Sequence, residues 1–374
     1  MPLEAGEPTE LEAAKTPNMD ILAKEGCSGL HVPVGPGITP GSGPGHLGVF
    51  GYDPLSFNIG RGVLSAAGID FELRPGDVAA RGNFCTVDKE GVVQDRRAGR
   101  IETSVNEGLC DRLRQIDIDG VTLFLQTVKE HRFLLVLRGE GLSDGIRDTD
   151  PQEIGKKPLS PEGTLPKAEK TVEIVKRFIE KAREILREES PANMILLRGF
   201  ASKPDWPQFT EVFGLRTAAA AGYPMYRGLA RLLGMTILPH TDNLDQRIQL
   251  IQDRFSDFDF LFVHFKKTDS TGEDRDYDAK VRRIEEADQA VGGLKSLDPE
   301  VLIVTGDHST PSRLGAHSWH PVPVVLWSKT CRPDGVTEFG EQSCIQGSLG
   351  PRFPATDIMP LALAHAGRLK KFGA

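Results

Sequence analysis

Near the C-terminal end of the chain an apolar run, Val301-Leu302-Ile303-Val304-Thr305, stops abruptly at Gly306-Asp307-His308. A short β-branched and leucine run bounded by glycine reads as a buried strand. Open α/β sheets carry their chemistry at the carboxyl ends of strands, and here that end holds an adjacent Asp and His. His317 follows nine positions after His308, just before a second apolar run at Val322 to Leu326. Asp and His together suit borderline divalent metals. The segment therefore predicts a metal-dependent enzyme on an α/β fold.

The rest of the chain fits that class. Apolar runs alternate with amphipathic ones, as α/β layering requires. Strands are expected at Val121 to Val128, Phe133 to Leu137, Met194 to Leu197 and Phe258 to Val263, besides the two already named. The clearest helix is expected from about Lys167 to Arg187, where Val172, Val175, Phe178, Ile179, Ala182 and Leu186 recur on one face. Two more are expected at Asp278 to Leu294 and Ile358 to His365. Asp150 to Pro166, rich in proline, reads as a loop, as does the glycine-rich stretch Gly35 to Gly51.

Three further pieces join the strand-end pair. Pro40-Gly41-Ser42-Gly43-Pro44-Gly45-His46 brings a serine into a stretch where glycines allow tight bends and close approach to a ligand. The apolar residues that follow suggest a helix whose first amides hold phosphate. A serine at that place is a candidate nucleophile once a metal activates its hydroxyl. In Phe260 to Asp274 another strand-like run ends at a carboxylate, and Asp269 and Glu273 are four apart, on one face of a helical turn. His46 reads as a supporting group, and His320 as a residue shaping the loop before Pro321.

Bulk properties exclude several alternatives. The net charge of −8 argues against a general nucleic-acid binder, which needs a basic face. The five cysteines are scattered, with no Cys-x-x-Cys pair, so neither a disulfide framework nor a structural zinc site is expected. Reduced thiols point to a cytoplasmic protein. No apolar stretch approaches the ~20 residues of a membrane span, and no signal peptide is visible.

Ser42 with His46, Asp269, Asp307-His308 and His317 together resemble the alkaline phosphatase superfamily of metalloenzymes. Thr16 to Gly26 is similar to the segment by which those enzymes reach their nucleophile loop. Gly48-Val-Phe-Gly-Tyr-Asp-Pro54 and Arg61-Gly-Val-Leu64 narrow the resemblance to the archaeal-type, 2,3-bisphosphoglycerate-independent phosphoglycerate mutases. The resemblance runs from about Leu11 to the C-terminus.

It implies an alkaline-phosphatase-like, mostly parallel sheet flanked by helices, in residues 1–74 and 222–374, with an inserted α/β substrate domain at 75–221 that closes over the substrate. It implies interconversion of 3-phosphoglycerate and 2-phosphoglycerate, in glycolysis and gluconeogenesis, through a phosphoserine at Ser42. No 2,3-bisphosphoglycerate is needed. Asp269 and His317 would hold one of two metal ions, and Ser42, Asp307 and His308 the other. The family usually has His at the position of Glu273, with Asp274 as the neighbouring alternative. An oxygen ligand there favours manganese or magnesium over zinc or cobalt. Arg97, Arg100, Arg138 and Arg147 in the insert, and Arg227 and Arg231 just past it, are the implied grips on the substrate. Asp148 is the implied proton exchanger. Family members open with an apolar strand whose terminal aspartate ligates the second metal. No such run precedes Thr16, so the expectation is about 15 residues upstream of Met1, one strand plus its turn. Two other readings stay open: a phosphomonoester hydrolase or another phosphomutase of the superfamily, and an impaired binding protein short of that ligand. The expected partner is the small phosphoglycerate alone, with oligomeric state left open.

Overall fold

The computed structural model describes residues 1–4, 6–57, 59–241 and 243–373. Among them are twelve strands: β1 (Cys27–Val32), β2 (Val78–Val87), β3 (Val93–Asp95), β4 (Thr122–Lys129), β5 (Arg132–Arg138), β6 (Met194–Ser202), β7 (Thr217–Ala220), β8 (Thr236–Ile237), β9 (Phe260–Val263), β10 (Val301–Thr305), β11 (Val322–Ser328) and β12 (Gly350–Pro354). They fall in two compact units. The first is Met1–Asn58, Phe213–Gly222 and Thr236–Ala374; the second is Ile59–Val212 and Tyr223–Met235.

The first unit carries two sheets with helices. β7 lies between β8 and β9, all parallel. The second sheet has the order β10-β11-β1-β12. Here β11 is antiparallel to both β10 and β1, while β12 is parallel to β1. A mostly parallel sheet was the expectation, and the observed pairing is mixed. The cause is the segment between β10 and β11. It holds no helix, and a return without a crossover element brings a strand back antiparallel. Met19, Leu22 and Ala23 on the helix Pro17–Glu25 pack against Leu30 and Val325. That helix starts on a buried carboxylate: Asp288, in the helix Tyr277–Lys295, accepts from the amides of Asn18 (3.2 Å) and Met19 (2.7 Å). Two amides that no helical carbonyl could reach are thereby satisfied.

The second unit is an antiparallel sheet, β3-β2-β5-β4, with β6 also on β2. The helix Glu169–Leu186 buries Ile174, Val175, Phe178, Ala182 and Leu186 in its core. This unit begins before residue 75 because the helix Arg61–Ala67 packs on it. A Cβ added at Gly62 would sit 2.1 Å from the Ala79 carbonyl oxygen, so only glycine permits that approach. The helix Pro224–Leu232 joins the same unit through Gly228, equally close to Ala67. Arg227 and Arg231 thus belong to the second unit.

Candidate active site

Ser42 is the first residue of the helix Ser42–Val49, with Gly41 as its cap. The helix lies against the end of β10: a Cβ at Gly45 would fall 2.3 Å from the Asp307 carbonyl oxygen. That closeness puts Ser42 Oγ 3.2 Å from His308 Nε2. His308 Nε2 is in turn 3.2 Å from Asp307 Oδ2. Three donor atoms from two distant parts of the chain therefore converge.

The hydrogen-bond network fixes which nitrogen of each histidine carries a proton. Thr310 Oγ1 donates to the Asp269 carboxylate. Its proton being used, it accepts from His308 Nδ1 at 2.9 Å. Nδ1 therefore holds the hydrogen, and the lone pair of His308 Nε2 faces Ser42. His317 follows the same rule. Its Nδ1 is 2.9 Å from the Pro40 carbonyl, an acceptor only, which leaves Nε2 facing Asp269 Oδ1 (3.7 Å) and Glu273 Oε1 (3.9 Å). A second partner that sets tautomer and ring orientation is what metal-ligating histidines use. The rings of His308 and His317 stack, centroids 3.7 Å apart.

His46, His264 and Asp307 also bring ligand-type atoms within 4.8 Å of one another, as do Asp269, His308 and His317. His46 has only its Nε2 left to offer an ion. Its Nδ1 lies 2.7 Å from the Ser42 carbonyl and 3.0 Å from Asp307 Oδ2, so that nitrogen donates and has no lone pair to offer. Phe50 and Phe262 wall in its ring.

Electrostatics sort the same residues. Burial would raise the Asp307 carboxyl, but His46, then His308 and His264, outweigh it and hold it well below the usual carboxylate range. For His46 burial opposes a charge, and Asp307 more than offsets it, so its pKa is raised. Burial, then His46, pushes His264 down to about 3. Burial lowers His308 despite Asp307. Asp269 is lowered against the effect of burial by its bonds to Lys266 and Thr310.

Divalent ions fit this donor set. Asp307 is held ionised by His46, yet its buried Oδ2, 3.0 Å from His46 Nδ1 and 3.2 Å from His308 Nε2, makes no well-aligned hydrogen bond, so it keeps lone pairs for a cation. The ammonium of Lys266 rests on Asp269, so one cation is already drawn there. Glu273, half-exposed, is on the same helix as Asp269, Lys267–Glu273, and Asp274 caps that helix at the surface. His320 lies apart, bonded to Ser318 and stacked on Trp319.

The residues expected to grip substrate are all in the second unit. Arg138 makes a two-pronged pair with Asp77 (2.7 and 2.6 Å), and Arg147 is 3.7 Å from Glu162 at the surface. Arg227 and Arg231 lie 3.6 and 3.0 Å from Asp70. Arg97 and Arg100 are exposed. Asp148 accepts from the Gly199 amide at 2.7 Å. Sequence reasoning missed His264, Lys266 and Thr310. His264 comes directly after β9 as Asp307 comes shortly after β10, and that parallel was the available signal.

The family model described as 2,3-bisphosphoglycerate-independent phosphoglycerate mutase matches residues 23–193. A probable mutase of that name from Thermus thermophilus is 48% identical, over 100% of this chain and 93% of its own length. One from Aquifex aeolicus is also 48% identical, over 100% and 94%. The solved cofactor-independent phosphoglycerate mutase of Thermoplasma acidophilum superposes with a TM-score of 0.75 at 33% identity, over 97% of each chain. A structure from Pyrococcus horikoshii gives 0.82 at 29% identity, over 98% of this chain and 94% of that one. Among the described residues no helix is long and apolar enough to cross a membrane.

Proposed function

This chain belongs to the 2,3-bisphosphoglycerate-independent phosphoglycerate mutases, and on that premise we propose that it moves the phosphoryl group of phosphoglycerate by way of a phosphoserine at Ser42. The observation that carries the reading is the 3.2 Å approach of Ser42 Oγ to a His308 nitrogen whose lone pair faces it. With that lone pair and Ser42 Oγ directed at one place, a cation held there would lower the proton affinity of the hydroxyl, which would lose its proton to solvent before Oγ meets phosphorus. The first amides of the helix Ser42–Val49 would be donors to the phosphate oxygens.

Ser42, Asp307 and His308 would hold one divalent ion, and Asp269, Glu273 and His317 the other, with manganese or magnesium best suited to the oxygen-rich set. Bound there, such ions lower the proton affinity of the serine and offset charge on the transferring group. Thr310, Pro40 and His46 keep the histidines and Asp307 in position. The bond from Ser42 Oγ to phosphorus forms as the bond from phosphorus to the 3-oxygen of glycerate breaks. We assign Asp148 the proton exchange: its carboxylate takes the proton of the 2-hydroxyl and passes it to the 3-oxygen before the return transfer.

The test is product analysis with manganese and 3-phosphoglycerate. The expected product is 2-phosphoglycerate, with phosphate found on Ser42 in a quenched sample. Ser42→Ala is expected to lower turnover by roughly 10⁴-fold or more, with the melting temperature kept. Free phosphate as the main product would identify a hydrolase. Unchanged turnover in Ser42→Ala would end the nucleophile assignment.

A further inference from the structure

In the second unit the antiparallel register sets Arg81 on β2 directly opposite Arg198 on β6. Like charges at facing positions repel, so sheets ordinarily avoid the arrangement. Arg61, the first residue of its helix, is brought beside them by Gly199. That glycine has φ +59°, and a Cβ on it would lie 2.5 Å from the Arg61 Cβ.

The carboxylates nearby do not neutralise the group. Asp150 is held by Arg96 through two bonds of 2.9 and 2.8 Å. Arg198 Nε is 3.4 Å from Asp150 and 3.8 Å from Asp148, yet it is buried and makes no well-aligned hydrogen bond. Arg81 donates from Nε to the buried Ser65 hydroxyl at 2.9 Å, a neutral acceptor, and has no carboxylate partner among the described residues. Burial, then Arg132, Arg61 and Arg198, push Arg81 down to about 10. Exposure falls from Arg61 at the surface to Arg81 and Arg198, both half-buried, so the cations form a graded entry.

A partly desolvated cation facing other cations costs stability unless an anion joins it. A guanidinium fork matches the paired oxygens of carboxylate or phosphate. We infer that Arg81, with Arg61 and Arg198, is the oxyanion grip of the second unit and takes the carboxylate or the phosphate of a phosphoglycerate. The inference rests on the mutase reading for its ligand and goes beyond it in naming three residues outside the expected arginines.

Hydrogen exchange followed by mass spectrometry tests it on the full chain, with excess chelator so that metal-held phosphate does not contribute. Inorganic phosphate, D-glycerate and 3-phosphoglycerate are added in separate arms. Protection is expected in peptides covering 61–67, 78–87 and 194–202. Glycerate as the effective small anion identifies a carboxylate grip, and phosphate a phosphoryl grip. Arg81→Met is expected to abolish the protection, to leave the anion-free melting temperature unchanged or higher, and to raise KM roughly tenfold or more with a smaller change in kcat. If that variant does not fold, Arg81→Lys keeps the charge, loses the fork and must weaken the protection. Ser42→Ala run alongside is expected to keep it, which separates failure of the nucleophile from failure of the grip. No protection by any of the three anions, or equal protection in the Arg81 variants, overturns the inference.

Discussion

Strand β5 in the second unit and strands β9 and β10 in the first are similarly apolar, yet they live in different surroundings. Phe133, Leu134, Leu135, Val136 and Leu137 of β5 are each at most 1% exposed. Every residue of β9 and β10 is only partly buried. The difference is in the edges. β5 is hydrogen-bonded on both sides, to β2 and β4. Among the described residues β9 pairs only with β7, and β10 only with β11. An unpaired edge leaves amides and carbonyls open and its side chains less covered. Among the described residues β9 and β10 are thus less covered than β5.

The contrast predicts unequal costs for similar truncations. Phe133 stands across from Gly82, its ring over the place a Cβ would occupy, and packs on Phe84 with centroids 4.8 Å apart. Phe133→Ala should cost ~3–5 kcal/mol in urea unfolding, because the removed ring leaves a cavity that its rigid neighbours cannot fill. A loss under ~1.5 kcal/mol would mean that β5 is as loosely held as β9 and β10.

Acid should expose the same closure in a different way. His131, beside β5, is buried, and its Nδ1 has no hydrogen bond. Burial, then Arg132, pushes it down to about 4, with Glu130 opposing only in part. The unfolded chain takes up this proton near pH 6.5, and the folded one only near 4. Its contribution is therefore complete above about pH 6.5 and is lost as the pH falls toward 4. His131→Gln should lose roughly 2 kcal/mol less than the parent between pH 7 and pH 4.5. Equal losses in both proteins would show that water reaches the ring.

What could be read from the sequence follows from the range of the signal. Asp307 and His308 stood out because a strand and two ligand-type residues share one short window, and Ser42 because glycines surround it; the structure brings the three together. The strands β4, β5, β6, β10 and β11 announced themselves as apolar runs. β2 did not, because Arg81, Gly82 and Asn83 interrupt its apolar residues, and these are made acceptable only by β5 and β6 on either side. Thr310 and Lys266 gain meaning only from Asp269, which the fold brings to them. Arginines were legible as a type but not by partner. Nothing near Arg138 or Arg231 in sequence announces Asp77 or Asp70. The mixed pairing of β10, β11 and β1 was also out of reach, since strand direction depends on how a loop returns.

The smallest effect tests the open side directly. Leu302 and Val304 of β10 pack against the cluster built around Leu22 and Val325. Alternation along a strand sends Ile303 to the other face, where it is half-exposed and its cross-strand partner is Leu326. Ile303→Ala should cost only ~1 kcal/mol, below the ~2–5 kcal/mol of a fully buried isoleucine, because part of its surface is already wet and no closed cavity results. The amides of β9 and β10 should also exchange faster than those of β5 under native conditions, since opening them breaks pairing on one side only. A cost above ~3 kcal/mol, with exchange as slow as in β5, would show that this edge is covered in solution. β9 and β10 would then be no looser than the closed sheet.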